Sequence, residues 1–317
     1  MNLPDTLALG LKLGLVLATL HFALLPALVR LAWRAPRVRE RLTPARFGLP
    51  FETVRIATAK GRRLHAWLVP QACRAPALVL LHGWGGNAEH LLPLAEPLYR
   101  AGWSVLLVDA RNHGLSDGDG FSSMVKFSED VEHALAWLKV RPEVDAARLA
   151  LVGHSVGAAA VLLAASRRRD LAAVVSLAAF AHPRELMRTM MSSNRIPYLP
   201  VGWWVLRHIE RTIGARYDAI APVSTIACIP CPVLLVHGAR DERVPVADVQ
   251  AIHAARGRAR VRLLVVPDSD HRLLSLRRHQ AALLGFLRDA FAEGGRVEGD
   301  AGGQNGAGAG RVPDSGG

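Results

Sequence analysis

One serine stands in a sequence context that would make it reactive. Ser155 is the centre of Gly-His-Ser-Val-Gly at 153–157, which follows an apolar run and precedes a run of small residues. This order predicts a buried strand, a sharp turn and a helix packed close to the strand. Glycine is favoured at such a turn because a Cβ would clash there. The turn pushes the serine Oγ outward beside the helix N-terminus, whose N–H groups favour a developing negative charge.

A serine nucleophile needs a base, and His271 is the best placed of the thirteen histidines. It follows the last apolar run of the chain, where a loop at the edge of a sheet would present it to the serine. His253 and His279 fall within predicted helices, which favours surface positions for both. His154 lies inside the turn itself and is expected to pack beside it.

The base in turn needs a carboxylate that holds its tautomer. Asp241 follows an apolar strand within His-Gly-x-x-Asp at 237–241, and we predict it in this role. Its rivals Asp268 and Asp270 lie too close in sequence to His271 for an easy side-chain approach. Glu242 is a weaker rival.

Apolar runs that alternate with helical patterns predict the scaffold that would bring these residues together. Strands are expected at 51–58, 63–70, 77–81, 104–108, 149–152, 171–177, 233–236 and 261–266. Helices are expected at 88–101, 128–140, 156–166, 247–255 and 273–292. Unbroken apolar strands between helices indicate a mostly parallel sheet buried on both faces, with ligands bound at the carboxyl ends of its strands.

Residues 180–227 break the alternation with methionines, tyrosine and tryptophans among prolines. A long insertion in a compact domain is often a lid. We expect a helical lid here, with a small core of its own and an apolar inner face over a substrate cleft.

The N-terminal stretch predicts attachment to a membrane. Residues 7–29 are almost wholly apolar, and about 20 such residues span a bilayer as a helix. The formal net charge is +12, and residues 30–74 carry eleven Arg or Lys against two Glu. Arginines that follow an apolar segment favour a cytoplasmic domain and contact with anionic lipid headgroups, and no nucleic-acid recognition motif accompanies them.

These segments divide the chain into four parts. We expect a single-pass membrane anchor helix at 1–33, a basic linker at 34–49, the catalytic domain at 50–293 and a disordered Gly-rich tail at 294–317. A membrane helix that lies on the bilayer instead of spanning it is the alternative for the first part. Three cysteines do not form a disulfide framework.

Five motifs in a fixed order resemble those of α/β-hydrolase fold proteins, over about residues 50–292. They are His-Gly-Trp-Gly-Gly-Asn at 82–87, Asp-x-Arg-x-His-Gly-x-Ser at 109–116, the serine turn at 153–157, His-Gly-x-x-Asp-x-x-Val-Pro at 237–245 and Asp-His at 270–271. The order Ser155, Asp241, His271 is also that of this fold. The resemblance is to the serine esterase, lipase and S33-peptidase-like group, with a looser similarity to membrane-associated ABHD-type hydrolases.

The resemblance implies an oxyanion hole formed by the backbone N–H groups of Trp84 and Val156. It implies structural roles for His82 and for the residues at 109–113. It also implies a serine hydrolase that cleaves carboxylic esters, lipid-like esters among them, through an acyl-enzyme.

Other functions remain open at this point. A thioesterase or a serine peptidase is the runner-up, and a haloperoxidase-like side activity would use the same residues. A non-catalytic ligand-binding module on the same fold is the alternative of another class. No cofactor is implied, no metal-ligand cluster is evident, and oligomeric state is not predicted.

Overall fold

A computed structural model of the chain describes residues 3–19, 24, 27, 31, 34–272 and 280–302, with side chains in the last helix as far as residue 293. His279 and the tail beyond residue 302 lie outside the described residues.

An eight-stranded sheet forms the centre of the fold. Its strands are β1 (Glu52–Thr58), β2 (Arg62–Val69), β3 (Ala75–Leu81), β4 (Ser104–Val108), β5 (Val144–His154), β6 (Ala173–Leu177), β7 (Val233–Gly238) and β8 (Val261–Val266). Their spatial order is β1-β2-β4-β3-β5-β6-β7-β8. The β1–β2 and β2–β4 pairs are antiparallel and all the others are parallel. The predicted mostly parallel sheet is confirmed.

Ten α-helices connect or flank these strands within the described residues. They are α1 (Leu3–Thr19), α2 (Leu92–Arg100), α3 (Met124–Lys139), α4 (Val156–Ala165), α5 (Pro183–Ser193), α6 (Trp203–Ile213), α7 (Tyr217–Ile220), α8 (Pro222–Thr225), α9 (Val246–Ala254) and α10 (Gln280–Gly302). Two apolar clusters line the sheet. Strands β3 and β4 are buried along their whole length, as expected of parallel strands covered on both faces.

Helix α3 begins earlier than the sequence predicts. It starts at Met124, because Ser123 is its N-cap and accepts a hydrogen bond from the N–H of Lys126 at 3.2 Å. Ser128, at the predicted start of the helix, is buried within it. Strand β5 likewise begins at Val144 and not at residue 149, with the same partner β3 on both sides of a bulge.

The insertion between β6 and β7 is helical, as predicted, and comprises α5 to α8 together with a single turn at Tyr198–Gly202. One hydrogen bond to the rest of the fold runs from the N–H of Ala181 to Asp248 Oδ2 in α9, at 2.8 Å.

The structure describes only part of the predicted membrane anchor. Helix α1 covers 17 residues, and among the described residues no helix has the length and apolarity needed to cross a membrane. The predicted spanning helix is therefore not supported by the described segments, and most of residues 20–33 lie outside them. The predicted linker at 34–49 packs on the domain, with Pro44 and Leu49 buried.

The last helix, α10, is longer than the sequence predicts. Its buried side chains, which include Leu283, Phe286 and Leu287, pack in one of the two apolar clusters. The helix runs to Gly302 and so includes the first nine residues of the predicted tail.

Candidate active site

Ser155 lies at the junction of β5 and α4, where the backbone turns sharply. Its φ of 55° and ψ of −117° are unusual for a residue with a side chain, which is the strained turn expected for an exposed nucleophile. The Ser155 N–H donates to the carbonyl oxygen of Leu177 at 2.8 Å and so fixes the turn to β6. An added Cβ on Gly153 would collide with the backbone of Gly157, and one on Gly157 with the carbonyl of His82. Both motif glycines are therefore required by close backbone approach.

The structure brings Ser155, His271 and Asp241 into one hydrogen-bonded line. His271 Nδ1 lies 2.7 Å from Asp241 Oδ2, and His271 Nε2 lies 3.1 Å from Ser155 Oγ. Because a carboxylate accepts only, Nδ1 carries the imidazole proton and Nε2 keeps its lone pair for the serine hydroxyl. The three elements that supply them end at the same edge of the sheet.

Asp241 is held as a carboxylate by its surroundings. Burial would raise its pKa, but hydrogen bonds from His271 and from the N–H groups of Val244 and Arg243 outweigh burial and leave the pKa lowered. Both backbone groups donate to Oδ1 at 2.9 Å, which leaves Oδ2 for His271. An ionised, fixed acceptor is what the orienting partner of a catalytic histidine requires.

The rival carboxylates lie elsewhere. Asp268 is paired with Arg240 at 3.1 Å, and Asp270 Oδ1 accepts the N–H of Arg272 at 3.0 Å. Glu242 is exposed. The structure therefore places only Asp241 of these four against His271.

The two predicted oxyanion donors flank Ser155. Val156 is the first residue of α4, where N–H groups have no partner within the helix. On the other side, an added Cβ on Gly83 would lie 3.0 Å from Ser155 Cβ, so Trp84 follows directly beside the nucleophile. The N–H of Gly86 donates to the carbonyl of Gly83 at 3.1 Å and closes a turn that holds Trp84 at its tip.

His82 has a bracing position and not a catalytic one. Its Nδ1 donates to the carbonyl of Gly83 at 2.7 Å, while its Nε2 accepts the N–H of Ala110 at 3.0 Å. Burial lowers its pKa well below the ordinary value, so the ring is neutral with both nitrogens engaged.

Arg111 braces the loop after β4, as the resemblance implies. Its Nε donates to Asp130 Oδ1 at 2.7 Å, and its Nη2 donates to Glu129 Oε2 at 2.6 Å. His113 is buried in the same loop, and its ring packs edge-on against Trp84. These contacts tie the loop after β4 to the loop that carries Trp84.

Sequence reasoning missed a segment that covers the Trp84 loop. We call residues 34–43 the strap. The strap carbonyl of Val38 accepts Asn87 Nδ2 at 3.1 Å, and Glu89 Oε2 accepts the strap N–H of Arg41 at 2.6 Å. An added Cβ on Gly85 would lie 3.0 Å from Pro36 Cγ. The arginines of the strap predict contact with a lipid surface. Nothing in their pattern indicates a contact with residues 83–90.

A mostly parallel sheet with a serine at the turn after β5, an acid after β7 and a histidine after β8 defines an α/β-hydrolase. Residues 125–294, more than half of the chain, match the prolyl oligopeptidase family, and the chain belongs to this family. The protein is thus a serine-type hydrolase of the α/β-hydrolase superfamily. The resemblance to α/β-hydrolases that the sequence motifs indicated is confirmed.

Two curated relatives and one solved structure illustrate the similarity. "Uncharacterized protein Rv2307c" of Mycobacterium tuberculosis is 31% identical over 68% of this chain and 70% of its own length. "Alpha/beta hydrolase domain-containing protein WAV2" of Arabidopsis thaliana is 26% identical over 67% of this chain and 69% of its own. The structure of the Pyrococcus furiosus esterase Pf2001 superposes with a TM-score of 0.66 at 23% identity, over 81% of this chain and 99% of that one. At this identity the structural likeness shows the fold.

Proposed function

We propose that the protein hydrolyses carboxylic esters, lipid-like esters among them, through an acyl-enzyme on Ser155. The observation that carries the proposal is the line of contacts from Asp241 through His271 to Ser155. The steps below follow from that geometry.

In the first step Ser155 Oγ attacks the acyl carbonyl carbon. His271 Nε2, at 3.1 Å, takes the hydroxyl proton as the bond forms. The imidazolium that results is stabilised by the ionised Asp241 at 2.7 Å from Nδ1.

The carbonyl oxygen becomes an oxyanion that the N–H groups of Trp84 and Val156 would bind. Donors fixed in place before the reaction stabilise such a charge strongly, each by about 3 kcal/mol. The imidazolium of His271 then protonates the leaving alcohol. A water molecule, deprotonated by the same imidazole, releases the acid and restores Ser155.

The helical insertion supports an apolar acyl group. In this insertion, the turn at Tyr198–Gly202 contacts both α5 and α6. The turn, the two helices and the segment before the turn expose large apolar side chains, namely Met190, Ile196, Leu199, Val201 and Trp203. Exposed apolar surface of this kind marks sites that bind apolar ligands or partners. We propose the insertion as a lid whose apolar residues receive the acyl chain.

A serine peptidase is the second candidate, and the family match favours it. Peptide and ester hydrolysis share the same nucleophile, base and oxyanion site, so the catalytic geometry fits both. A thioesterase also remains a candidate on the same chemistry.

We also propose membrane lipid as a partner of the N-terminal region. Helix α1 exposes a series of leucines, including Leu7, Leu11 and Leu15. An apolar helix followed by arginines is suited to a bilayer surface with anionic headgroups, and these arginines favour the cytoplasmic face. Flotation with anionic vesicles of the full chain, but not of a chain that lacks residues 1–33, would support this partner. Equal flotation of both would contradict it.

The function is tested with a substrate panel on the wild type, Ser155→Ala and Ser166→Ala. Ser166 lies at the opposite end of α4, where its Oγ donates to the carbonyl of Leu163 at 2.8 Å, so it is a matched control. We expect p-nitrophenyl ester hydrolysis that rises with acyl chain length, is lost in Ser155→Ala and is kept in Ser166→Ala. Cleavage of peptide p-nitroanilides without esters would make the protein a peptidase, and full ester activity in Ser155→Ala would contradict the mechanism.

A further inference from the structure

Three polar side chains from distant parts of the sequence meet beneath the strap. Glu40 comes from the strap itself, His65 from β2 and Asp109 from the loop after β4. One ligand atom of each lies within 4.8 Å of the others. His65 is 3% exposed and Asp109 is fully buried.

Several polar atoms of this cluster have no partner. Both carboxylate oxygens of Glu40 and Nε2 of His65 are shielded from solvent and lack a donor, and Glu40 can form a hydrogen bond with Asp109 only if the two carboxyl groups share a proton. Arg55 places a positive charge near His65, but its Nη1 donates a hydrogen bond to the carbonyl oxygen of Leu115 at 2.9 Å. Leaving a buried carboxylate and a buried imidazole nitrogen unsatisfied is costly, so something must compensate them.

Asp109 is fixed in position for such a role. Its Oδ1 accepts the N–H of Ala88 at 2.7 Å and its Oδ2 the N–H of Leu115 at 2.8 Å, and each oxygen keeps a second lone pair. Gly114 provides the room, since an added Cβ there would collide with carboxylate oxygens of both Asp109 and Glu40.

Two occupants could neutralise the pair of carboxylates, a proton or a cation. A proton shared between Glu40 and Asp109 would leave the buried Nε2 of His65 without a partner. A divalent cation would accept lone pairs from all three side chains at once. An imidazole nitrogen with carboxylate oxygens is a donor set of Zn²⁺, whereas Mg²⁺ and Ca²⁺ prefer oxygen alone. With bonds of about 2.0–2.2 Å, tetrahedral zinc holds neighbouring ligand atoms about 3.3–3.6 Å apart. Ligand atoms that are up to 4.8 Å apart would therefore have to move closer together.

We propose that Glu40, His65 and Asp109 form a binding site for a divalent transition-metal cation of the zinc class. The cation would clamp the strap to the sheet. Because Asp109 Oδ1 also accepts the N–H of Ala88, the cation would help to fix the segment that follows Trp84. The sequence offered no sign of this site, since its ligands are far apart and follow no metal-binding spacing.

Calorimetric titration of the metal-stripped full chain with ZnCl₂ tests the site directly. We expect one zinc per chain, at least 100-fold weaker binding in Glu40→Gln, and wild-type binding in His133→Gln. His133 is a half-buried histidine of α3, remote in sequence from the cluster, and serves as the control. Circular dichroism establishes that each variant is folded.

Limited digestion with trypsin gives a second readout that needs no activity. Arg37, Arg39 and Arg41 are exposed cleavage sites in the strap. Zinc should slow cleavage at these sites at least 10-fold in the wild type and in His133→Gln, but not in Glu40→Gln. Absence of zinc binding by the wild type, or equal binding and protection in Glu40→Gln, would overturn the proposal and leave a shared proton as the occupant.

Discussion

His154 Nε2 lies 2.8 Å from the carbonyl oxygen of His271. The residue before the nucleophile thus holds the backbone of the residue that supplies the base, and the two rings pack with centroids 5.1 Å apart. Burial lowers the pKa of His154 to about 4, so its ring is neutral and Nε2 carries the proton that it donates.

This contact predicts that His154 positions the catalytic base. In His154→Ala the loop that carries His271 loses its attachment, and misplacement of a catalytic group by about 1 Å can lower the rate about 100-fold. We expect kcat for ester hydrolysis to fall 10- to 100-fold with little change in KM, as measured by steady-state kinetics.

The variant His154→Gln tests whether His154 acts through its hydrogen bond to His271 or only through packing. Glutamine can still donate an N–H to the carbonyl of His271. It should restore most of the rate lost in His154→Ala. Equal losses in the two variants, or a change confined to KM, would contradict the positioning role.

We predict that replacing Asp241 with asparagine, which has nearly the same shape, strongly lowers kcat. In Asp241→Asn the amide can donate to His271 Nδ1, which places the imidazole proton on Nε2, where it cannot accept the serine proton. We expect kcat to fall by roughly 10⁴-fold with the fold intact, by analogy of role with other serine triads. Asp268→Asn, at an exposed rival position, should keep the wild-type rate, and a matching loss there would count against Asp241.

We predict that a side chain at position 157 severely disturbs the packing of the serine turn. A Cβ in Gly157→Ala would collide with the carbonyls of His82 and Leu81, which are backbone atoms that cannot move aside. Overpacking typically costs about 1–3 kcal/mol, and because the atoms that the Cβ meets belong to the backbone, we expect a destabilisation at the upper end of that range, about 3 kcal/mol. Urea unfolding of the purified variants measures this free energy.

Gly285 is the matched control, because nothing lies within 4 Å of a Cβ added there in α10. Gly285→Ala should stabilise the chain by about 0.5–1 kcal/mol through its higher helix propensity. If Gly157→Ala were as stable as Gly285→Ala, the close approach at the serine turn would be disproved.

His154 also predicts a pH dependence of stability. An unfolded histidine binds a proton below a pKa of about 6.5, whereas the folded His154 does so only below about 4. The unfolded state therefore takes up more protons, and stability falls as the pH drops from 6.5 towards 4. The difference corresponds to about 3 kcal/mol at pH 4, at about 1.4 kcal/mol per pKa unit.

Comparison with His154→Gln isolates this contribution from other buried groups. Burial raises the pKa of Asp130 to about 6. The folded state therefore binds this proton more strongly than the unfolded state, and Asp130 adds stability as the pH falls over the same range. Urea unfolding at pH 7 and pH 4.5 should show a smaller loss of stability in His154→Gln than in the wild type. The same loss in both chains would show that His154 titrates alike in the folded and unfolded states.

The sequence predicts the parts of the site that local pattern determines. Ser155 follows from its glycines and its apolar flanks, and His271 and Asp241 follow from apolar strands that end beside it. Strand β4 and strand β8 have the predicted bounds, because predominantly apolar runs between polar loops define them.

The remaining features depend on contacts that no local pattern records. The strap arginines are consistent with a lipid surface, whereas the packing of the strap on the Trp84 loop depends on contacts with distant residues, among them Asn87 and Glu89. The approach of Glu40 to Asp109 and the hydrogen bond from His154 to His271 likewise join residues far apart in sequence. Ser123 was missed as the cap of α3 because Ser128 offers the same side chain one turn later.

Reaction with a fluorophosphonate measures the activation of Ser155 most directly. The reagent reports a serine whose hydroxyl proton is taken by a base, and intact-mass analysis with peptide mapping locates the adduct. The account predicts one adduct per chain on Ser155, none in Ser155→Ala, and an undiminished adduct in Ser166→Ala. An adduct on another serine, or no adduct on the folded wild-type chain, would contradict it.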